Sequence, residues 1–484
     1  MSGMKQKASK GVFWSLAENI GVLGINFLAF LVLARLLDKE AFGLVALAMA
    51  YVLFLELFVR TAAVEVIIQR KTLSDLHKNT AFWATASLGV VALLLSLLIA
   101  SNAGTLSGED QLEHILYWLS LGIIPLSLST VQNGIMVREI RFKGLAARRI
   151  IASTSSVIVA LVFALNGMGV WSLVAQLLTY RFADFLALYW VTKWFPKLHF
   201  SWSAFKDMSD YGWKVLASNI AYFAGSQLDR VIIGHFLGVK TLGIYVVGQK
   251  LIEVIYMTLN GVVGRVALTT FSRLQTDQER LKQACLSVGQ LTTITAVPVL
   301  MFLAVSAVDI IAAVFGDKWS DSAAVTQILA IAAIARISFV FLMPALKAKA
   351  MAGRVMTAII LQAALSVCFA ILLAPLGLVA MTIGWSVGYI ASTAMLIYFV
   401  GDRLSINLTE LIRIFAAPLV SAFVGVLVVF FLSQQILEWN LSMYVAMGIK
   451  LCAFILAYLG SLAAIAPKTV KNAYTDISSL LINK

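Results

Sequence analysis

Thirteen ionised side chains stand inside stretches of this 484-residue chain that are otherwise apolar enough to cross a bilayer. The basic ones are Arg60, Arg181, Arg230, Lys250, Arg265, Arg336 and Lys450, and the acidic ones are Glu18, Glu56, Glu65, Asp184, Asp229 and Glu253. A charge near the middle of the hydrocarbon layer costs about 2.5–3.5 kcal/mol even on the mildest scale, so it has to be neutralised or hydrated by something. Some of these charges come in helical pairs. Glu56 and Arg60 are spaced i,i+4, and Arg181/Asp184 and Lys250/Glu253 are spaced i,i+3, so each pair shares a helix face and can neutralise itself. Such a pair can be a plain structural ion pair. Glu18, Asp229 and Arg336 have no acid–base partner on their own helix face, since Arg230 projects about 100° away from Asp229. Together with Asn19, Asn26 and Gln227 they need partners on other helices or a wet cavity. Six polar residues on three helices favour a shared polar lining over isolated bridges.

Other chemistries are missing from the sequence. It has no GxxxxGK[ST] phosphate loop, no HExxH zinc motif, no GxSxG elbow and no kinase signature. His77, His114, His199 and His235 are scattered over distant segments, and Cys285, Cys368 and Cys452 fall in three different helices without a CxxC. No catalytic residue, metal site or cofactor is expected from these patterns.

The elements that carry the charges follow from composition and hydropathy. With 61% hydrophobic and 13% charged residues, the chain reads as an all-α integral membrane protein. About 14 transmembrane helices are expected, near 11–37, 41–69, 79–101, 112–137, 145–166, 168–192, 213–238, 242–271, 283–305, 322–349, 354–375, 377–401, 411–434 and 440–466. The runs are too long and too uniformly apolar for barrel strands. Placing the N-terminus in the cytoplasm puts 26 Lys and Arg residues on the cytoplasmic side and 4 on the other, an asymmetry that fixes the orientation with both ends inside. The net charge of +13 lies in short loops beside apolar spans, with no aromatic-interleaved basic run. Membrane lipid headgroups are therefore the expected partner and nucleic acid is not.

A shift of 200 residues aligns Leu16, Ala17, Asn19, Ile20, Leu28, Leu37 and Gly43 with Leu216, Ala217, Asn219, Ile220, Leu228, Leu237 and Gly243 without a gap. The shared Leu-Ala-x-Asn-Ile opens the first and seventh helices in the same orientation. The expected organisation is thus two parallel six-helix lobes plus two C-terminal helices. Residues 1–192 form the first lobe, 193–212 a cytoplasmic linker and 213–401 the second lobe, with 402–484 supplying helices 13 and 14 and a cytoplasmic tail.

Several short motifs carry a family likeness. They are Leu33-Ala34-Arg35-Leu36-Leu37 with Phe42-Gly43-Leu44, Ile67-Ile68-Gln69-Arg70-Lys71, Thr80-Ala81-Phe82-Trp83, Arg138-Glu139-Ile140-Arg141-Phe142-Lys143, Phe271-Ser272-Arg273-Leu274-Gln275 and Phe315-Gly316-Asp317-Lys318-Trp319. In these the chain resembles bacterial polysaccharide exporters of the Wzx type, and within them the colanic-acid exporter branch. Their superfamily, MOP, also holds the multidrug MATE exporters and the peptidoglycan-precursor flippases. The motifs lie mostly at helix ends and mark the family more than its cargo.

The resemblance implies two lobes working by alternating access in a bacterial inner membrane. The implied cargo is an undecaprenyl-diphosphate-linked oligosaccharide, carried from the cytoplasmic to the periplasmic leaflet for polysaccharide or lipopolysaccharide assembly, with polysaccharide assembly proteins as partners. On that basis Arg60, Arg181, Arg230, Lys250 and Arg336 are candidates for the diphosphate, and Asn19, Asn26 and Gln227 for sugar hydroxyls. Glu18, Glu56, Asp184, Asp229 and Glu253 are candidates for coupling to a proton or sodium ion. Two rivals stand beside this reading. A MATE-like antiporter for organic cations would need net negative charge in its cavity. A membrane glycan polymerase or ligase would be expected to use a sizeable outer loop, and every outer loop here is short.

Overall fold

The computed structural model describes residues 21–61, 67, 73–139, 142–438 and 441–467. Among these the regular secondary structure is all helical, without strands. The first packing unit holds α1 (Gly21–Leu36), α2 (Lys39–Thr61), α3 (Asp75–Ser107), α4 (Asp110–Ser120), α5 (Ile123–Arg138), α6 (Phe142–Leu165), α7 (Trp171–Thr192) and α8 (Trp202–Leu237). The next helix, α9 (Val239–Leu259), contains the boundary between the units at Val246 and Val247. A π-helical turn (Asn260–Gly264) follows α9 inside the second unit. That unit holds α10 (Arg265–Arg273), α11 (Gln278–Val305), α12 (Ala307–Phe315), α13 (Ser322–Ala348), α14 (Ala352–Leu373), α15 (Leu378–Leu404), α16 (Leu408–Glu438) and α17 (Met443–Ile465).

Eleven segments of the described chain are long and apolar enough to cross a membrane, and Gly21–Leu36 is a shorter apolar helix. Exposed Leu186, Phe431 and Leu456 on the outside and buried Glu56, Gln132, Arg148 and Asp229 inside give the inverted polarity that lipid as solvent demands. Helices α7 and α8 fall outside the eleven. Their ionised residues, Arg181 and Asp184 on α7 and Asp229 and Arg230 on α8, lower the mean hydropathy of helices that are otherwise built like the rest.

Three expected elements differ in detail. The fourth span is split into α4 and α5 around Leu121 and Gly122. A Cβ at Gly122 would lie 3.3 Å from Cγ of Arg181, so the glycine leaves room for that side chain. The eighth span is divided by the π-helical turn. The seventh begins at Trp202 and not near 213, because the Ser201 hydroxyl accepts from the amide of Ala204 and caps the helix earlier.

The family motifs turn out to be joints. Residues 193–201 have no regular structure, and their backbone groups are satisfied by one end of α3. The amide of Lys197 donates to Asn79 Oδ1 (2.8 Å), Trp83 Nε1 donates to the carbonyl of Lys197 (2.9 Å), and the amide of Ser201 donates to Thr80 Oγ1 (3.1 Å). Thr80 and Trp83 of one motif thus hold the linker, while Ala81 and Phe82 between them are buried. Arg138 Nη1 of another motif donates to the carbonyl of Ile67 (2.7 Å). In the second unit Gly316 has φ of 99°, turning the chain between the fully buried rings of Phe315 and Trp319.

Candidate functional site

The polar centre of the first unit is built on Glu56. Helix α2 packs against α3, α4 and α8, which leaves Glu56 1% exposed in the interior. A bare carboxylate there would be very costly, and two guanidiniums cover it. Arg181 Nη2 on α7 donates to Glu56 Oε1 at 2.7 Å and to Oε2 at 2.8 Å, and Arg60 Nη2, one turn along α2, donates to Oε2 at 3.2 Å. The expected Glu56/Arg60 pair is present. The expected Arg181/Asp184 pair is not, because both residues find partners on neighbouring helices. Asp184 Oδ1 lies 3.1 Å from Nε of Arg148 on α6.

Arg148 is a residue the sequence misled about. It sits among Arg138, Arg141, Lys143 and Arg149 and reads as one more cytoplasmic loop cation, yet its side chain is 4% exposed inside α6. Its Nη2 donates to Asn133 Oδ1 at 3.3 Å. The usable signal was the apolar run beginning at Leu145, which puts Arg148 a turn inside the helix.

These groups border a cavity of about 410 Å³. Arg60, Arg148, Arg149 and Arg181 line it, with Asp184 as the one carboxylate among the lining residues. Ser129, Thr130 and Asn133 from α5, Tyr180 from α7 and Asn219 from α8 supply neutral polar groups. Asn219 belongs to the second copy of Leu-Ala-x-Asn-Ile, so the repeat itself was the clue to it. Guanidiniums held by carboxylates present fixed N–H forks, which suit phosphate or carboxylate oxygens.

The other expected residues are placed as follows. Glu18 and Asn19 lie outside the described residues, as does Glu65. Asn26 Oδ1 accepts from Ser153 Oγ at 3.2 Å, tying α1 to α6. Asp229, 1% exposed, accepts from the Tyr245 hydroxyl (2.8 Å) and from the amide of Arg230 (2.9 Å). On the same helix Gln227 Oε1 and Arg230 Nε are buried with no hydrogen-bond partner among the described residues. They are three residues apart and share a face.

In the second unit Lys250 and Glu253 form their expected pair at 3.2 Å, and Lys450 pairs with Asp309 at 2.6 Å. Arg336 has no same-helix acid and is held by aromatic faces. Its guanidinium carbon lies 3.9 Å from the ring centre of Tyr256 and 5.0 Å from that of Tyr389, whose hydroxyl accepts from Trp385 Nε1 (3.3 Å). Tyr256 is 200 positions from Glu56, so corresponding points of the two sequence repeats each anchor an arginine, one by charge and one by a π face. The second unit also carries a groove of about 760 Å³ whose walls, including Met301, Ile331, Ile383, Ile412 and Phe415, are almost wholly apolar. Among the described residues no three His, Cys, Asp or Glu side chains gather as metal ligands would.

Comparison with known proteins agrees with this architecture. Residues 32–324 match the model of a family described as polysaccharide biosynthesis protein. The succinoglycan biosynthesis transport protein ExoT of Rhizobium meliloti is 29% identical over 326 residues, a match spanning 67% of this chain and 65% of ExoT. The lipopolysaccharide biosynthesis protein WzxC of Escherichia coli is 24% identical over 339 residues, spanning 69% of this chain and 68% of WzxC. Among solved structures, the lipid II flippase MurJ in an inward closed conformation superimposes with a TM-score of 0.75 at 11% identity, covering 97% of this chain and 100% of MurJ. That likeness is one of fold. A chain with these motifs, this helical architecture and this family match belongs to the polysaccharide biosynthesis protein family.

Proposed function

We propose that this protein flips an undecaprenyl-diphosphate-linked oligosaccharide from the cytoplasmic to the outer leaflet of a bacterial inner membrane, by alternating access between two six-helix lobes, residues 1–192 and 213–401. The observation that carries the reading is the cavity bordered by four arginines and one carboxylate. A diphosphate leaving water needs its hydration replaced by fixed donors, and each charge-assisted hydrogen bond contributes about 1.5–3 kcal/mol. Ser129, Thr130, Asn133 and Asn219 offer amide and hydroxyl groups to sugars at the same cavity. The apolar groove of the second unit supports a route for the isoprenoid tail. An organic cation would meet net positive charge in this cavity, which weighs against the drug-antiporter reading.

Coupling is assigned to Asp229. Among the coupling candidates, Asp229 is 1% exposed and accepts from a phenolic hydroxyl and a backbone amide. A carboxylate buried this deeply changes its interaction with the surroundings when it gains or loses a proton or sodium ion, which lets the cation bias the two states. Flipping of a lipid-linked oligosaccharide in proteoliposomes, assayed with and without imposed proton and sodium gradients, tests both parts. Transport of the glycan lipid is expected, and movement of an organic cation without it would replace this reading with the antiporter.

A further inference from the structure

Gly43 and Gly243 occupy the same position in the two sequence repeats, 200 residues apart, and they meet in space. Each is the fifth residue of its helix, α2 and α9. A Cβ built on Gly43 would collide with the carbonyl of Val239 and come within 3.1 Å of the amide nitrogen of Gly243. A Cβ built on Gly243 would collide with the carbonyl of Lys39 and come within 3.3 Å of the amide nitrogen of Gly43. Lys39 and Val239 are themselves 200 residues apart, so the contact is reciprocal atom for atom. That is the signature of a two-fold axis, on which one patch packs against its own copy. The obstacles are backbone atoms, which cannot rotate aside as a long side chain would. Small residues allow two helices in lipid to approach this closely, and their Cα–H groups can then face the opposing carbonyls.

We infer that the local two-fold axis relating residues 39–43 to 239–243 within the first packing unit passes between Gly43 and Gly243, and that this backbone contact is the closure point of the side of the transporter on which α2 and α9 begin. The inference rests on the alternating-access reading above, in whose topology that side is the outer one. Transport requires the two repeats to part there and return, and a contact made only of backbone has no side chains to unlock when it opens. No other residue type permits the return.

The variants Gly43→Ala and Gly243→Ala, with Gly448→Ala as control, test this. At Gly448 an added Cβ meets nothing within 4 Å. Nitroxide labels are placed at exposed Asp38 and Lys240 after Cys285, Cys368 and Cys452 are replaced by alanine, and their separation is measured by pulsed electron resonance. The parent protein and the Gly448→Ala protein should give the same dominant short distance. Each axis variant should shift the population to a longer distance and reduce flipping at least tenfold. If the axis variants fail to express, Asp38→Cys with Lys240→Cys, bridged by a short bifunctional thiol reagent, should arrest transport until the bridge is cleaved. Unchanged distances and normal flipping in both alanine variants, or full transport by the bridged protein, would overturn the inference. The distance measurement needs no cargo, so it stands or falls separately from the identity of the substrate.

Discussion

Arg181 reaches from α7 to α2 and places one nitrogen between the two carboxylate oxygens of Glu56, at 2.7 and 2.8 Å. With Glu56 1% exposed and the Arg181 side chain 17% exposed, the pair fixes the depth and angle at which a guanidinium enters the cavity. Removing the acid leaves a cation stranded in a low-dielectric interior, a loss of about 3–5 kcal/mol. Glu56→Ala should therefore lower the thermal midpoint of the purified protein sharply. Glu56→Ala/Arg181→Met should recover much of the stability without recovering transport. Equal stability of the single and double variants would show that the two side chains act independently.

Arg148 and Asp184 form the second cross-helix pair, at 3.1 Å. Because Arg148 is almost fully buried while Arg149 borders the cavity on the same helix, their neutralisation should differ in kind. Arg148→Gln should cost folding yield. Arg149→Gln should keep yield and weaken binding of the lipid-linked cargo about tenfold, the equivalent of about 1.4 kcal/mol for one lost charged contact. Membrane yields and binding isotherms on the two variants separate the effects.

Stacking between Tyr256 and Tyr389 supports Arg336 through the faces of their rings. Tyr256→Phe should leave transport within about twofold of the parent, whereas Tyr256→Ala removes a cation–π contact of about 1–2 kcal/mol and should reduce transport several-fold. A comparable loss in the Phe and Ala variants would assign the role to the Tyr256 hydroxyl.

Much of this was legible in the sequence, and the limits have physical causes. Hydropathy located the helical segments because lipid leaves the backbone no alternative to internal hydrogen bonds. It could not show that α4 and α5 are separate, since both sides of Gly122 are apolar, nor that the helix from Trp202 starts inside the expected linker. Same-helix spacing correctly paired Glu56 with Arg60 and Lys250 with Glu253. It failed for Arg181 and Asp184, whose partners Glu56 and Arg148 are 125 and 36 positions away and become neighbours only through helix packing. Arg148 was hidden by the basic loop beside it. Asn219, by contrast, was visible as the second copy of a motif before its place in the cavity was.

The coupling assignment has its own test in Asp229→Asn. The substitution keeps shape and the hydrogen bond from Tyr245 while removing charge, so the protein should stay folded and still bind cargo. Its flipping should no longer respond to an imposed proton or sodium gradient, because the two states of the transporter no longer differ in cation affinity at this site. Retained gradient dependence in a stable Asp229→Asn protein would exclude Asp229 as the coupling group.

In the proposed function the arginine-lined cavity carries a diphosphate-linked glycan. The direct measurement is leaflet-to-leaflet movement of labelled undecaprenyl-diphosphate oligosaccharide in proteoliposomes, comparing the parent with Arg60→Gln/Arg149→Gln, two cavity arginines whose loss leaves the Arg181–Glu56 and Arg148–Asp184 pairs in place. The parent should flip the lipid, and the double variant, at equal reconstituted amounts, should be slower by about a hundredfold, about tenfold for each charged contact removed. Equal rates for the two proteins, or no movement of the glycan lipid by the parent, would contradict a role for this cavity in flipping the lipid-linked glycan.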